Sequence, residues 1–223
     1  MKKEYLFNAL AIFISIVGSF GVERLIEYRK EQNEIKILET NLLHELEQNY
    51  YSLLSLRGTL NSVVDVSDSI ITNWNSISSI KVKIFHSNSL YDKNERIELI
   101  LSNSYGLTSR NMYLNSLINS GLILKIKSSA IRNQIESVNL LVSGNYLQSN
   151  EVIENNIKDW FIKYSKKEES LNYELLFDKY KDFELYQFLT LRRRNEVYKL
   201  SGVNGNIKFL EEIINEIKAN GLF

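Results

Sequence analysis

A chain of 223 residues with 44% hydrophobic and 24% charged side chains is long enough for one helical domain with a core and too short for two. Lys plus Arg and Asp plus Glu each number 27, so no bulk field draws in a phosphate backbone or an anionic membrane, and any nucleic-acid contact requires a local patch. The absence of cysteine removes disulfides, thiolate nucleophiles and Cys-ligated zinc, while the absence of proline favours long unbroken helices.

Residues 5–22 carry no charge. As a helix these eighteen residues extend ~27 Å, just enough for a hydrocarbon core of ~30 Å, which predicts a single membrane span over residues 1–23. Lys2 and Lys3 before the run and Ser19-Phe20-Gly21 near its end also fit a cleaved signal peptide. The anchor reading is preferred, because the helical pattern continues through Glu23, Arg24, Leu25 and Ile26 with no turn residue. Spaced at 100°, Glu4, Asn8, Ala11, Ser15, Gly18, Ser19 and Val22 fall on one side. Small and hydrogen-bonding residues are the usual contact surface between helices in lipid, so this stripe predicts self-association into a trimer or tetramer. Asn8, Ala11, Ser15, Gly18 and Ser19 are the candidate interface, and a ring of Asn8, Ser15 and Ser19 would line a narrow pore. In the alternative, Asn8 sits among headgroups and the small residues are incidental. Arg24, Arg29, Lys30 and Lys36 follow the span against Lys2 and Lys3 before it, which places the C-terminal domain in the cytoplasm.

Tyr28, Ile35, Leu42, Asn49, Leu56, Val63 and Ile70 then repeat every seven residues, joined by Leu46, Leu53, Leu60 and Trp74 at the complementary heptad position. The seam predicts a long stalk or bundle helix over 24–76, ending near Ile71 and packed on its own bundle or on copies of itself. Asn49 in that seam either sets register or faces solvent, the second being the commoner case. Residues 72–94 read as a break rich in Asn and Ser, within which 81–85 alternate as a strand would, although a lone strand has no partner. Beyond it the domain over 77–223 is expected to be a helical bundle. Helices are predicted from an Asn94 cap to Leu101, from Arg110 to a left-handed Gly121, from Ala130 to about Ser143, from an Asn150 cap to Lys167, over 173–200 and over 206–218, the last two split at Ser201–Gly205. The predicted fold class is all-α: a transmembrane helix continuing into a long helix, followed by a multi-helix bundle.

The order of an N-terminal span, Glu23-Arg24-Leu25, the central run from Tyr113 to Leu122 and Ile131-Arg132-Asn133-Gln134-Ile135 resembles a bacterial family of uncharacterised single-span membrane proteins frequent in the Bacteroidetes. The resemblance implies an anchored helical domain at the bacterial inner membrane and supplies no catalytic residue. In architecture the chain is also similar to small membrane effectors of antiphage systems, including the Hailong class. That similarity implies an ion channel in antiviral defence, gated by a nucleotide or single-stranded nucleic acid that a soluble partner enzyme supplies.

No catalytic constellation is legible. His44-Glu45-Leu46-Glu47-Gln48 lacks the second histidine of a zinc-protease helix, and GxGxxG, GxxxxGK and GxSxG are absent. Glu95 with Glu98 and Glu211 with Glu212 have ordinary surface-helix spacing. No metal, no cofactor and no enzymatic activity are expected. The basic residues Lys125, Lys127, Arg132, Arg192, Arg193 and Arg194 are the candidate anionic-ligand set, although three consecutive arginines on a helix fan through ~200° and cannot grip one phosphate. Oligomer symmetry would have to gather such patches, and the competing reading is a solvated face. Tyr180, Phe183, Tyr186, Phe188 and Tyr198 are expected in the bundle core in preference to a base-stacking platform.

Overall fold

The computed structural model describes residues 2–89, 96–103, 105–107, 109–126, 128–142 and 151–222, with side chains throughout except at 2–6, 9 and 139–142. Every regular element among them is helical. Helix α1 runs unbroken from Lys2 to Thr72, as expected for a stretch without proline and with a sustained heptad seam. It is followed by α2 (Ser79–Ser89), α3 (Ile97–Ser102), α4 (Met112–Asn119), α5 (Ser129–Val142), α6 (Glu151–Glu168), α7 (Tyr173–Tyr180) and α8 (Phe183–Asn220), with short 3₁₀ turns at Trp74–Ser76 and Leu122–Lys125.

The seam of α1 closes on the chain's own bundle. Leu42, Leu46, Leu53 and Leu60 are fully buried, and Ile35, Asn49, Leu56, Val63 and Ile70 nearly so. Their main partner is α8, which runs back along α1: Arg193 bonds Asp68, Lys218 bonds Glu47, and the Leu222 amide donates to the Glu39 carboxylate at 2.7 Å. Two apolar clusters result. One joins Leu42–Leu60 positions of α1 to α4, α5 and the Val203-to-Ile217 face of α8, and the other joins Val66 and Ile70 to α2, α3, α6, α7 and the Leu185–Leu189 face of α8.

Several expectations need correction. The 81–85 segment is helical within α2, with Val82 buried, because α1 and α7 give one helical face a surface to cover and no strand partner exists among the described residues. The break expected at 201–205 does not occur: α8 continues through it, since Val203, Asn206 and Ile207 lie on the buried stripe and a glycine costs a helix only about 1 kcal/mol. The break falls instead at Lys181–Asp182, where the Asp182 carboxylate accepts from the Leu185 amide at 3.0 Å as an N-cap. Asn49 neither faces solvent nor marks an interface between chains; its amide donates to the Arg110 carbonyl at 2.7 Å and accepts from the Arg110 N–H at 2.9 Å. Asn94 and Asn150 lie outside the described residues. Gly121 does take the left-handed conformation, φ 73°, at the end of α4.

Among the described residues no helix is long and apolar enough to cross a membrane. Within the charge-free run, side chains are described at 7, 8 and 10–22, while positions 5, 6 and 9 lie outside them.

Two substitutions test this architecture by urea denaturation. Gly121→Ala has open space for its methyl group, so only backbone strain counts, and a loss of about 1 kcal/mol is expected. Asn49→Ala removes both bonds to Arg110, and the expected loss is ~1–3 kcal/mol together with faster hydrogen exchange at the Arg110 amide. Unchanged exchange there would refute the pinning role.

Candidate functional site

Two regions depart from an ordinary helical bundle. The first is the N-terminal part of α1, where every described side chain from position 7 to 34 is exposed. Phe7 is 77% exposed and Phe13 64%, and Leu10, Ile12, Ile14, Ile16, Val17, Phe20, Val22, Leu25 and Ile26 are also bare. These residues fall on all sides of the helix, which is the pattern of a segment surrounded by an apolar medium or by partners. The candidate interface residues Asn8, Ala11, Ser15, Gly18 and Ser19 are all exposed within it. The Ser15 hydroxyl donates to the Ala11 carbonyl and the Ser19 hydroxyl to the Ser15 carbonyl, each at 2.8 Å. Both hydroxyl donors are therefore satisfied within the helix itself. No Cβ contact would arise within 4 Å at Gly18 or Gly21, so a second helix could approach closely there.

The second region is a layer of ionic groups buried between the two apolar clusters. The inward face of α8 reads Leu185, Leu189, Arg192, Glu196, Lys199, Val203, with Arg192 6%, Glu196 1% and Lys199 4% exposed. The Arg192 guanidinium donates to the carbonyls of Ile100 at 2.8 Å and Asn103 at 2.5 Å, and the Lys199 ammonium donates to the Tyr105 carbonyl at 2.7 Å. The α3–α4 connection is thus held by cations of α8. From the other side α1 holds it through Asn49 and through Glu45, whose carboxylate accepts from the amides of Tyr113 at 2.9 Å and Leu114 at 3.0 Å and so caps α4. Lys199 also stands 3.5 Å from the Glu196 carboxylate. Burial pushes the Glu196 carboxyl above its ordinary value, opposed by the charges of Lys199 and Arg192. Glu98, expected on a surface, is 7% exposed and its carboxyl is likewise raised by burial; Arg96 lies 2.8 Å from one oxygen but out of hydrogen-bonding geometry.

The candidate anion-binding cations do not form one patch. Arg192 points inward to carbonyls, Arg193 makes a two-point bond to Asp68 at 2.8 and 3.2 Å, and Arg194 is exposed, so the expected fan is realised. Lys125 pairs with Glu31, Arg132 is half-buried on α5, and Lys127 lies outside the described residues. Asp68 and Glu31 mark heights on α1 that differ by 37 positions, about 55 Å at 1.5 Å per residue, so Lys125 and Arg193 sit at opposite ends of the bundle. Of the aromatic set, Phe188 packs on the second cluster and Tyr180 stacks on Tyr164, but Phe183 and Tyr198 are 69% and 72% exposed and are not core. His44 is an exposed helix-face residue bonded to Gln48. It borders a surface cavity of about 340 Å³ with Asn41, Glu45, Gln48, Arg110 and Tyr113, where Gln48 also accepts from Arg110.

Sequence reasoning misses Glu196, and it gives Lys199 and Glu45 no place in a buried polar layer. The signal was present, since Arg192, Glu196 and Lys199 continue the three-and-four spacing of Leu185 and Leu189 into Val203. The expected break at 201–205 concealed that frame.

Lys199→Met leaves Glu196 buried without its cation, and a loss of roughly 3–5 kcal/mol is expected, largely recovered in Lys199→Met with Glu196→Gln. Because Glu196 and Glu98 titrate above 4.5 in the folded chain, the native state binds protons more tightly than the unfolded one over that interval. Their contribution to stability is full below pH 4.5 and falls as pH rises through the raised values. Glu196→Gln with Glu98→Gln should flatten the decline in thermal melts across pH 4 to 7. An unchanged slope would refute the assignment.

Comparison with protein-family models, with curated proteins and with solved structures finds no match, so the function has to be read from the residues themselves.

Proposed function

We propose that the chain is a membrane-anchored homo-oligomeric effector, in which residues 5–22 enter a bilayer and assemble with those of identical copies, and the helical bundle on the cytoplasmic side regulates that assembly. The observation that carries this reading is the bare apolar end of α1. Large side chains exposed around the whole circumference cost free energy in water at about 25 cal/mol per Å², and lipid removes that cost. Continuity of α1 supports a direct effect on the bilayer, because the same helix that enters lipid is buried in the bundle from Ile35 onward with no intervening loop. A small pore lined by Asn8, Ser15 and Ser19 is the proposed activity, in keeping with the resemblance to antiphage effectors, and a nucleotide or short nucleic acid from a partner enzyme is the proposed trigger. Arg192 and Arg193 are occupied by Ile100, Asn103 and Asp68, so the trigger would have to bind elsewhere or displace them.

The second reading is a membrane tether whose bundle docks another protein without transport. It is favoured by the Ser15 and Ser19 hydroxyls, which bond to their own helix and leave less polarity to line a channel. Ion flux from liposomes loaded with the full chain separates the two. Wild type should conduct, and Asn8→Leu combined with Ser15→Leu should lower flux by at least tenfold, about 1.4 kcal/mol in barrier terms. Absence of flux from well-folded oligomers would reject the pore and favour the tether.

A further inference from the structure

The surface cavity of about 340 Å³ between α1 and the start of α4 falls within the ~300–1,000 Å³ range of small-ligand sites. Asn41, His44, Glu45 and Gln48 share one face of α1 and form one wall, and Arg110, Met112 and Tyr113 contribute the other. Its polar side chains are aligned by their own bonds. The Arg110 guanidinium can only donate, so its Nη1 contact at 2.6 Å fixes the Gln48 amide oxygen toward it. The Gln48 amide nitrogen is thereby turned to His44 Nε2 at 2.8 Å, which has to accept, and the proton of the neutral imidazole sits on Nδ1.

The carboxylate at this cavity is already spent. Glu45, the only one among the described lining residues, is 4% exposed and gives one oxygen to the Tyr113 amide and the other to the Leu114 amide, so the start of α4 is capped and is not what attracts a ligand here. Donors remain. Arg110 is exposed and pairs with no carboxylate among the described residues, and Gln48 occupies only Nη1, which leaves the Nε–Nη2 edge of the guanidinium for a two-point grip on an oxyanion. Arg110 differs in this from the cations that the sequence offers for an anion. Arg193 and Lys125 are neutralised by Asp68 and Glu31, and Arg192 is buried on carbonyls, whereas an amide aligns Arg110 and leaves its charge in place.

We infer that this cavity binds a small organic anion, in which a carboxylate or phosphate monoester meets Arg110 and a compact planar body lies against Met112 and Tyr113. The head group follows from the donor fork, and the body from the apolar part of the lining, where Met112 is 66% exposed and its flexible thioether adapts to a ring. Prior alignment of Arg110 by Gln48 lowers the entropy lost on binding. The inference does not depend on what residues 5–22 enter.

The test titrates the full chain, in non-ionic detergent, with phenyl phosphate, benzoate, inorganic phosphate and phenol, followed by calorimetry and by the NMR signal of the Arg110 Nε–H. Phenyl phosphate and benzoate should bind and move that signal, and inorganic phosphate and phenol, each lacking one half of the ligand, should bind at least about tenfold more weakly. Tighter binding of phenyl phosphate assigns the head group to a phosphate monoester, and tighter binding of benzoate to a carboxylate. Arg110→Gln should abolish binding, and Arg110→Lys, which keeps the charge and loses the fork, should weaken it about tenfold. The bonds from Asn49 reach the backbone of residue 110, so thermal melting of these variants without ligand should remain that of wild type. Met112→Asp, which sets a carboxylate on the exposed wall, should weaken binding independently, and Arg194→Gln, at an exposed arginine on α8, should not. Failure of both aromatic anions to bind at millimolar concentration would overturn the inference, as would equal binding of phenol or unchanged binding by Arg110→Gln.

Discussion

The antiparallel packing of α8 along α1 is the interaction on which the other elements depend. It buries the rows from Ile35 to Ile70 and from Leu185 to Ile217, and these two helices contribute to both apolar clusters. The shorter helices α2 to α7 are six to eighteen residues long, a length at which isolated helices are marginal in water. They are stable because the long pair offers apolar surface to cover. The exposed ion pairs along the sides, such as Lys218–Glu47 and Lys163–Glu184, contribute little by comparison.

Between the clusters the bundle accepts a cost. Arg192, Glu196 and Lys199 are withdrawn from water, and the cations are bonded to backbone carbonyls of α3, at Ile100, and of the α3–α4 connection, at Asn103 and Tyr105. In return the half-buried connection between α3 and α4 is bonded from both sides: Arg192 and Lys199 reach its Asn103 and Tyr105 carbonyls from α8, while Asn49 bonds Arg110 and Glu45 caps the start of α4 from α1.

Much of this was readable from periodicity. The end of α1 falls within a residue of the expected Ile71, the heptad rows are buried as rows, and α5, α6 and the left-handed Gly121 lie where capping chemistry places them. What escaped is where long-range packing overrides local preference. Gly202 and Gly205 signal a turn, yet Val203 and Ile207 on either side are held by α1. Arg192 to Arg194 look alike as a string, and only the orientation of α8 separates a buried residue, a side-paired residue and an exposed one. Asn49 resembles a register-setting seam residue, but its partner is 61 positions away in the chain and is a backbone group, which no local spacing announces.

The ionic layer also restricts how the bundle can move. Sliding α8 along α1 by a turn would withdraw Arg192 from the Ile100 and Asn103 carbonyls and Lys199 from the Tyr105 carbonyl, leaving buried cations without those acceptors. The layer thus acts as a latch that holds α8 at one height along α1.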